Sequence, residues 1–196
     1  MRTALLLSGG MDSLSIAWWK RPELAITIDY GQLPAEAEVA AAKAVCKRLN
    51  IEHHIIRVDC RSLGSGDMAG EAANEHAPAS DWWPYRNQML LTFAAMKAIV
   101  LKADVLYIGT VRSDSSHLDG TPQFVEAIDA LVAMQEGGLR IEAPAIGLST
   151  AELVRLGEVP DHFLAWAHSC HRANVACGSC RGCNKYLEVL HGLQDK

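Results

Sequence analysis

Thr3 to Leu7 is an uninterrupted apolar run that stops abruptly at Ser8-Gly9-Gly10, and few folds are open to a chain that begins this way. An apolar run without polar alternation is the pattern of a strand buried on both faces, as in parallel sheets covered by helices. Asp12 and Ser13 are residues that cap helix starts, and Ser15 to Trp19 continues as a helix, so the opening reads strand, glycine turn, helix. The alternation then repeats. Leu24 to Ile28 reads as a second strand, Pro34 to Leu49 as an Ala- and Glu-rich helix, and His54 to Val58 as a third strand. Arg86 to Leu101 has helical periodicity and Ala103 to Thr110 reads as a further strand. Thr121-Pro122 opens a helix through Phe124, Ile128 and Leu131, and Ser149 to Glu152 has the form of a capping box. Such alternation requires right-handed crossovers, so the fold class expected is α/β, a doubly wound parallel sheet. Ligands of these sheets bind beyond the carboxyl ends of the strands.

A chain of 196 residues holds one well-buried core with a small appendage. The expected division is an α/β domain over residues 1–160 and a C-terminal segment over 161–196 packed on the same core. The composition, 49% hydrophobic and 21% charged, is that of a globular protein and excludes disorder. A net charge of −5 gives no general attraction to nucleic acid or to an anionic membrane, which favours a small-molecule substrate. No apolar stretch approaches the ~20 residues that span a bilayer, and no secretory pattern opens the chain, so a cytoplasmic protein is expected. Cys60 to Pro84 is a long irregular stretch, the kind that serves as a functional loop or lid. Trp18-Trp19 reads as packing, and Trp82-Trp83 as packing or lid.

The turn Ser8-Gly9-Gly10-Met11-Asp12-Ser13 lies between strand and helix, where free N–H groups and the helix dipole form an anion site. Its glycines let the backbone approach a phosphate, and its serines can donate hydroxyl hydrogen bonds. No Gly-Lys-Ser or Gly-Lys-Thr ending follows, so it is not the loop that handles a γ-phosphate.

Cys170, Cys177, Cys180 and Cys183 form C-x6-C-x2-C-x2-C, while Cys46 and Cys60 stand far upstream. Two overlapping CxxC units can wrap one tetrahedral ion, with Gly178 and Gly182 easing the turns. Four thiolates fill the shell and leave no open position, so the expected ion is structural Zn²⁺, with an iron–sulfur cluster as the competing reading. His168 and His171 flank the first cysteine and read as neighbours of the site rather than ligands.

Three further groups fall at the ligand edge. Asp29, in Asp29-Tyr30-Gly31-Gln32 at the end of the second strand, could accept hydroxyl hydrogen bonds. Arg86 offers a planar charged fork for phosphate or carboxylate, and Asn87 can bind a polar ring or the helix end. Asp114 and Asp119, in the loop after the fourth strand, can bind Mg²⁺ or accept paired N–H groups from a guanine-like ring.

SGGMDS resembles the pyrophosphate loop of the ATP pyrophosphatase (PP-loop) superfamily, whose members cleave ATP between the α- and β-phosphates and leave an adenylated substrate. Together with IDYGQ, PYRNQ, the IGT…SDSS…LDG…F region and the SC…CGSCRGC tail, it is similar to the 7-cyano-7-deazaguanine synthase family of the queuosine pathway. That resemblance implies an adenine nucleotide alpha hydrolase-like fold and an ATP-dependent C–N ligase, AMP- or ADP-forming. Such an enzyme adenylates 7-carboxy-7-deazaguanine, lets ammonia displace AMP, and then activates and dehydrates the amide to the nitrile. It implies ATP contacts along Leu7, Ser8, Gly9, Gly10, Met11, Asp12, Ser13 and Leu14 and at Asp29 and Gly109, with Mg²⁺. Arg86, Asn87, Asp114 and Asp119 would serve the reacting centre, Asp119 reading the deazaguanine ring. The four cysteines would hold structural zinc, and the partners implied are a deazapurine and ammonia, in a homodimer without nucleic acid. The chain departs from the family pattern at His117-Leu118-Asp119-Gly120-Thr121, where Tyr-Pro-Asp-Cys-Arg is usual, and at Thr150, where lysine is usual. A deazapurine ligase that stops at the amide or joins another amine, a tRNA sulfurtransferase, and a non-catalytic zinc-dependent binding module are the alternatives.

Overall fold

The computed structural model describes residues 1–194. Positions 195 and 196, the end of the expected C-terminal segment, lie outside the described residues. Five strands, β1 (Thr3–Leu6), β2 (Leu24–Asp29), β3 (Glu52–Arg57), β4 (Val105–Tyr107) and β5 (Arg140–Glu142), form one sheet in the order β3-β2-β1-β4-β5. Every pairing is parallel, with Ala4 of β1 opposite Leu24 of β2 on one side and Leu106 of β4 on the other. The chain winds outward from β1 to β3, then returns to lay β4 and β5 on the opposite flank. The order therefore reverses between β1 and β4, and the crevice beyond their carboxyl ends is where such a sheet receives a ligand.

Both faces are covered by the helices α1 (Met11–Lys20), α2 (Ala35–Leu49), α3 (Gly66–Ala69), α4 (Arg86–Val100), α5 (Pro122–Ala133), α6 (Thr150–Leu156), α7 (Asp161–Leu164) and α8 (Arg181–Gln194). Side chains alternate across a strand, so Leu5 and Leu7 join the core beneath α1, α2 and α6, whereas Ala4 and Leu6 join the one beneath α4 and α5. Tyr186, Val189, Leu190 and Leu193 of α8 pack on the first of these cores. Among the described residues no helix is long and apolar enough to cross a membrane.

The expected elements are present with bounds moved by a few residues. Thr121 caps α5 by accepting from Phe124 N, and Ser149 and Glu152 form the capping box of α6. The start of α1 differs from expectation. Gly10, not Asp12 or Ser13, is the capping position, and it makes no side-chain cap bond. The backbone turns helical two residues early because the glycines allow it, and the first-turn N–H groups are left for a ligand. The region from Cys60 to Pro84 carries a 3-10 turn (Arg61–Leu63) and the short α3. Trp83, 2% exposed, meets Tyr30 edge-on at 4.9 Å and anchors this segment in the core. Trp18 packs on Phe163 at 4.8 Å.

Candidate active site

A cavity of about 670 Å³ opens at the switch point, within the size range of small-ligand sites. Its wall includes Leu7, Ser8, Gly10, Met11, Asp12 and Ser13 of the glycine turn, Gly109 after β4, Arg86 and Asn87 at the start of α4, and Asp114. Four residues singled out from the sequence are not on that wall. Leu14 is fully buried in the core, and Gly9 turns with φ +82 against the carbonyl of Glu38, where a Cβ would collide. Asp29 borders a shallower groove, 3.8 Å from Arg57, and accepts from Gly31 N at 3.3 Å, as a turn residue does. Asp119 stands behind the wall, accepting from Asn87 N at 3.0 Å while Asn87 Nδ2 donates to its carbonyl at 2.8 Å.

The glycine turn is held shut by its own serines. Ser13 Oγ donates to the Gly10 carbonyl at 3.1 Å and accepts from Ser8 N at 3.2 Å, with the Ser8 hydroxyl 3.0 Å away. Gly109 permits this packing, because a Cβ there would sit 3.0 Å from that of Ser13. His168 N donates to the Gly9 carbonyl at 2.9 Å, tying the segment before the cysteines to the turn.

Arg86 faces the cavity with no carboxylate in ion-pair range among the described residues. Its Nη1 lies 2.8 Å from the Met68 sulfur, with the Tyr30 hydroxyl beside it. Glu38, on the same wall, accepts from Gln32 Nε2 at 2.7 Å. Burial pushes its carboxyl up to about 7, against the opposing pull of Gln32 and Arg86.

Asp12 takes Lys185 Nζ on Oδ2 at 2.9 Å and the Thr150 hydroxyl on Oδ1 at 2.6 Å, and the same Nζ lies 3.2 Å from Asp114 Oδ1. A second cluster centres on Asp81, 5% exposed, with Arg181 Nη1 at 3.2 Å and the rings of His117 and His171 at 3.6 Å. Burial alone would raise its pKa, but the His117 hydrogen bond and the charges of His171 and Arg181 outweigh it and hold Asp81 well below the usual carboxylate range. This cluster joins the long loop, the loop after β4 and the cysteine segment around one end of the cavity.

The four cysteines converge, their sulfurs all within 4.8 Å of one another. Cys177 and Cys183 are 3.9 Å apart and Cys170 and Cys180 4.0 Å, against an edge of about 3.8 Å for four thiolates at ~2.3 Å from one tetrahedral ion. Backbone N–H groups of His171 and Cys183 point at the Cys180 sulfur, and that of Cys180 at Cys177. Hydrogen bonds from the backbone of Ser179 and of Cys180 lower the Cys177 thiol to about 6, which favours the thiolate a metal needs. The group could hold a metal ion. Neither flanking histidine joins it, since His168 Nε2 sits on the Ala173 carbonyl and the His171 ring turns its Nδ1 toward Asp81, 3.6 Å away and not hydrogen-bonded. Gly178 has φ +75, and Gly182 lies where a Cβ would strike the Ser169 carbonyl. Cys46 and Cys60 are buried singly in the two cores.

Sequence reasoning missed Glu38, Asp81 and Lys185. A carboxylate in the first turn of a helix or before a tryptophan carries no mark of a site, and Lys185 meets a partner 173 positions away. For α8 there was a signal, since Tyr186, Val189, Leu190 and Leu193 recur at helical spacing.

A doubly wound parallel sheet with a glycine turn at its switch point defines the class: α/β proteins that take their ligand beyond the carboxyl ends of the strands. The sequence matches the family model of queuosine biosynthesis protein QueC over residues 2–193, and the chain belongs to that family. Curated relatives named 7-cyano-7-deazaguanine synthase include that of Methanospirillum hungatei JF-1, 32% identical over 100% of this chain and 98% of its own. Another, from Stutzerimonas stutzeri, is 34% identical over 93% of this chain and 90% of its own. Among solved structures, the U34-tRNA thiolase NcsA from Methanococcus maripaludis with its [4Fe-4S] cluster superposes with a TM-score of 0.55 at 18% identity, over 100% of this chain and 65% of that one. That likeness is one of fold. Synthase relatives together with this fold support an enzyme.

Proposed function

We propose that the protein converts 7-carboxy-7-deazaguanine and ammonia to 7-cyano-7-deazaguanine at the expense of ATP, through an adenylated carboxylate and an adenylated amide. The observation that carries this reading is one cavity lined both by an uncapped glycine turn and by the Arg86 guanidinium, which has no carboxylate in ion-pair range among the described residues. The turn suits phosphates, and Arg86 suits the carboxylate of the acceptor. A carboxylate is a poor electrophile. Its oxygen attacks the α-phosphorus, pyrophosphate leaves, and ammonia then displaces AMP from the carbonyl to give the amide. The amide oxygen attacks the α-phosphorus of a second ATP and pyrophosphate leaves; loss of AMP and of both protons on the nitrogen then gives the nitrile.

Ser8, Gly9, Gly10, Asp12 and Ser13 form the phosphate cradle, with Leu7, Met11, Leu14 and Gly109 setting its shape. Asp12 and Asp114 would hold Mg²⁺, which neutralises phosphate charge when bound. Cys170, Cys177, Cys180 and Cys183 would hold structural Zn²⁺, which the sulfur spacing fits and which takes no part in the chemistry. Asp119 is assigned to fixing α4, and through it Arg86 and Asn87, rather than to reading the ring. Met96 and Val100, four positions apart on α4 and 65% and 72% exposed, support a homodimer.

Pyrophosphate release from ATP, measured with 7-carboxy-7-deazaguanine and ammonia and followed by mass spectrometry of the product, tests the proposal. Nitrile is the expected product. Amide alone would shorten the reaction by its second half, and no pyrophosphate from the folded, metal-loaded protein would overturn it. Asp12→Ala is expected to abolish release without unfolding the chain.

A further inference from the structure

We propose that Lys185 is a phosphate-binding residue of this cavity, its ammonium group held on Asp12 and Asp114 until an entering polyphosphate shares that charge. This rests on the ATP reading above.

Three observations lead to it. Lys185 lines the cavity, and its side chain is 35% exposed, so the group is reachable by a ligand that enters. Its two contacts, 2.9 Å to Asp12 and 3.2 Å to Asp114, come from the first turn of α1 and from the loop after β4, the two flanks of the switch point. An ammonium group has three N–H donors, and the two carboxylates take two of them, which leaves one for a ligand oxygen.

Even with the Mg²⁺ proposed above, the charge balance at this edge favours a fixed cation. The start of α1 favours anions, yet Asp12 and Asp114 place two negative charges beside it, and a polyphosphate would be repelled by bare carboxylates. Lys185 offsets one of those charges and turns the remaining donor toward the ligand. A purely structural ion pair is the rival explanation. It has little left to hold, because α8 is already fixed by its apolar residues on the core and by Cys183 among the four sulfurs. A partly buried pair is in any case weak evidence of stabilisation.

Calorimetric titration of ATP, inorganic pyrophosphate and adenosine, each with Mg²⁺, into the wild type, Lys185→Met, Lys185→Gln and Lys185→Arg tests the inference. The Met and Gln variants are expected to lose about ten- to a hundredfold in affinity for ATP and pyrophosphate, the size of one charged hydrogen bond. Adenosine binding should stay within about twofold, and Arg, which keeps the charge, should recover part of the loss. Metal content and thermal melting of each variant report folding, and Gln replaces Met should the latter fail to fold. Unchanged affinity for ATP and pyrophosphate in the neutral variants would overturn the inference, as would an equal loss for adenosine, which marks a collapsed cavity. If the wild type binds no ATP, the ATP reading itself fails. If the wild type binds and the neutral variants match it, only the role of Lys185 falls.

Discussion

The Asp119 carboxylate accepts the backbone N–H of Asn87 at 3.0 Å, and through this bond a loop 32 residues downstream caps the start of α4. Tyr85, the residue in the capping position, has φ 53 and makes no side-chain cap bond of its own. Arg86 N reaches back to the Trp83 carbonyl at 3.3 Å, and for Asn87 N, which a capping side chain at Tyr85 would otherwise serve, the carboxylate supplies an acceptor from across the fold. Arg86 and Asn87 follow directly, so their aim into the cavity depends on this distant contact.

Asp119→Ala should therefore lower stability by about 1 kcal/mol, the usual cost of a lost cap, and raise the KM for the carboxylate substrate more than that for ATP. Asp119→Asn keeps an acceptor oxygen and should retain most of both. Thermal melting with steady-state kinetics in each substrate checks this, and equal KM effects on both substrates would count against it.

Glu38 gives a pH prediction with a definite sign. Its carboxyl, ordinarily at 4.5, is raised to about 7 in the folded chain by burial. Between those values the folded state keeps a proton that the unfolded state has released, so stability should fall as pH rises from about 4.5 to about 7 and stay reduced above. Glu38→Gln should flatten that dependence and melt higher than the wild type at pH 8. If the carboxylate also takes the proton shed by attacking ammonia, turnover should rise through pH 7 in the wild type. The variant should lose that limb along with about a hundredfold in rate. Melting curves and rates across pH 5 to 9 decide both points separately.

Gly9→Ala tests the turn without changing a polar group. The left-handed φ of +82 and the Glu38 carbonyl facing the missing Cβ leave no room for a methyl group. Such strain costs about 1–3 kcal/mol, and relief would push α2 from the turn. Melting should fall, and ATP affinity should fall with it. Gly147, where nothing lies within 4 Å of an added Cβ, is the control that should tolerate alanine.

The parallel sheet was legible because its signals are local. The apolar run before Ser8-Gly9-Gly10, the Thr121 cap and the Ser149–Glu152 box each lie within a few residues, and each appears where its pattern places it. β5 escaped notice because Arg140–Glu142 is a three-residue edge strand with one buried side chain, too short for any period to show. The glycine turn at the switch point and the convergence of the cysteines were legible for the same reason that the sheet was: both patterns lie in short-range spacing. The other half of the cavity was not, because the partners of Asp12 and Asp81 come from segments that only folding brings together. Asp119 shows the limit most plainly. Its side chain accepts the Asn87 N–H, a contact with the backbone of α4 that nothing in the loop after β4 announces.

The cysteine centre makes the last prediction. Cys180 accepts N–H groups from His171 and Cys183, and its neighbour Arg181 begins α8 and reaches Asp81 on the cavity wall at 3.2 Å. Removing the Cys180 sulfur leaves three ligands and two N–H groups without an acceptor. Without the ion nothing offsets the repulsion of thiolates gathered within 4.8 Å. Cys180→Ala should lose the metal and several kcal/mol of stability together, since binding and folding are coupled in such sites. Cys46→Ala, which alters a thiol buried far from the cluster, should keep the metal at a modest packing cost. Elemental analysis of the purified protein should find one zinc per chain and no visible absorption, whereas a brown protein with iron and sulfide would show a cluster instead. Removal of the ion by a chelator should weaken binding of ATP before the sheet unfolds, because the N-terminal end of α8 carries both Cys183 and Lys185. Loss of ATP binding only at the global unfolding transition would show that the cysteines hold the fold and not the site.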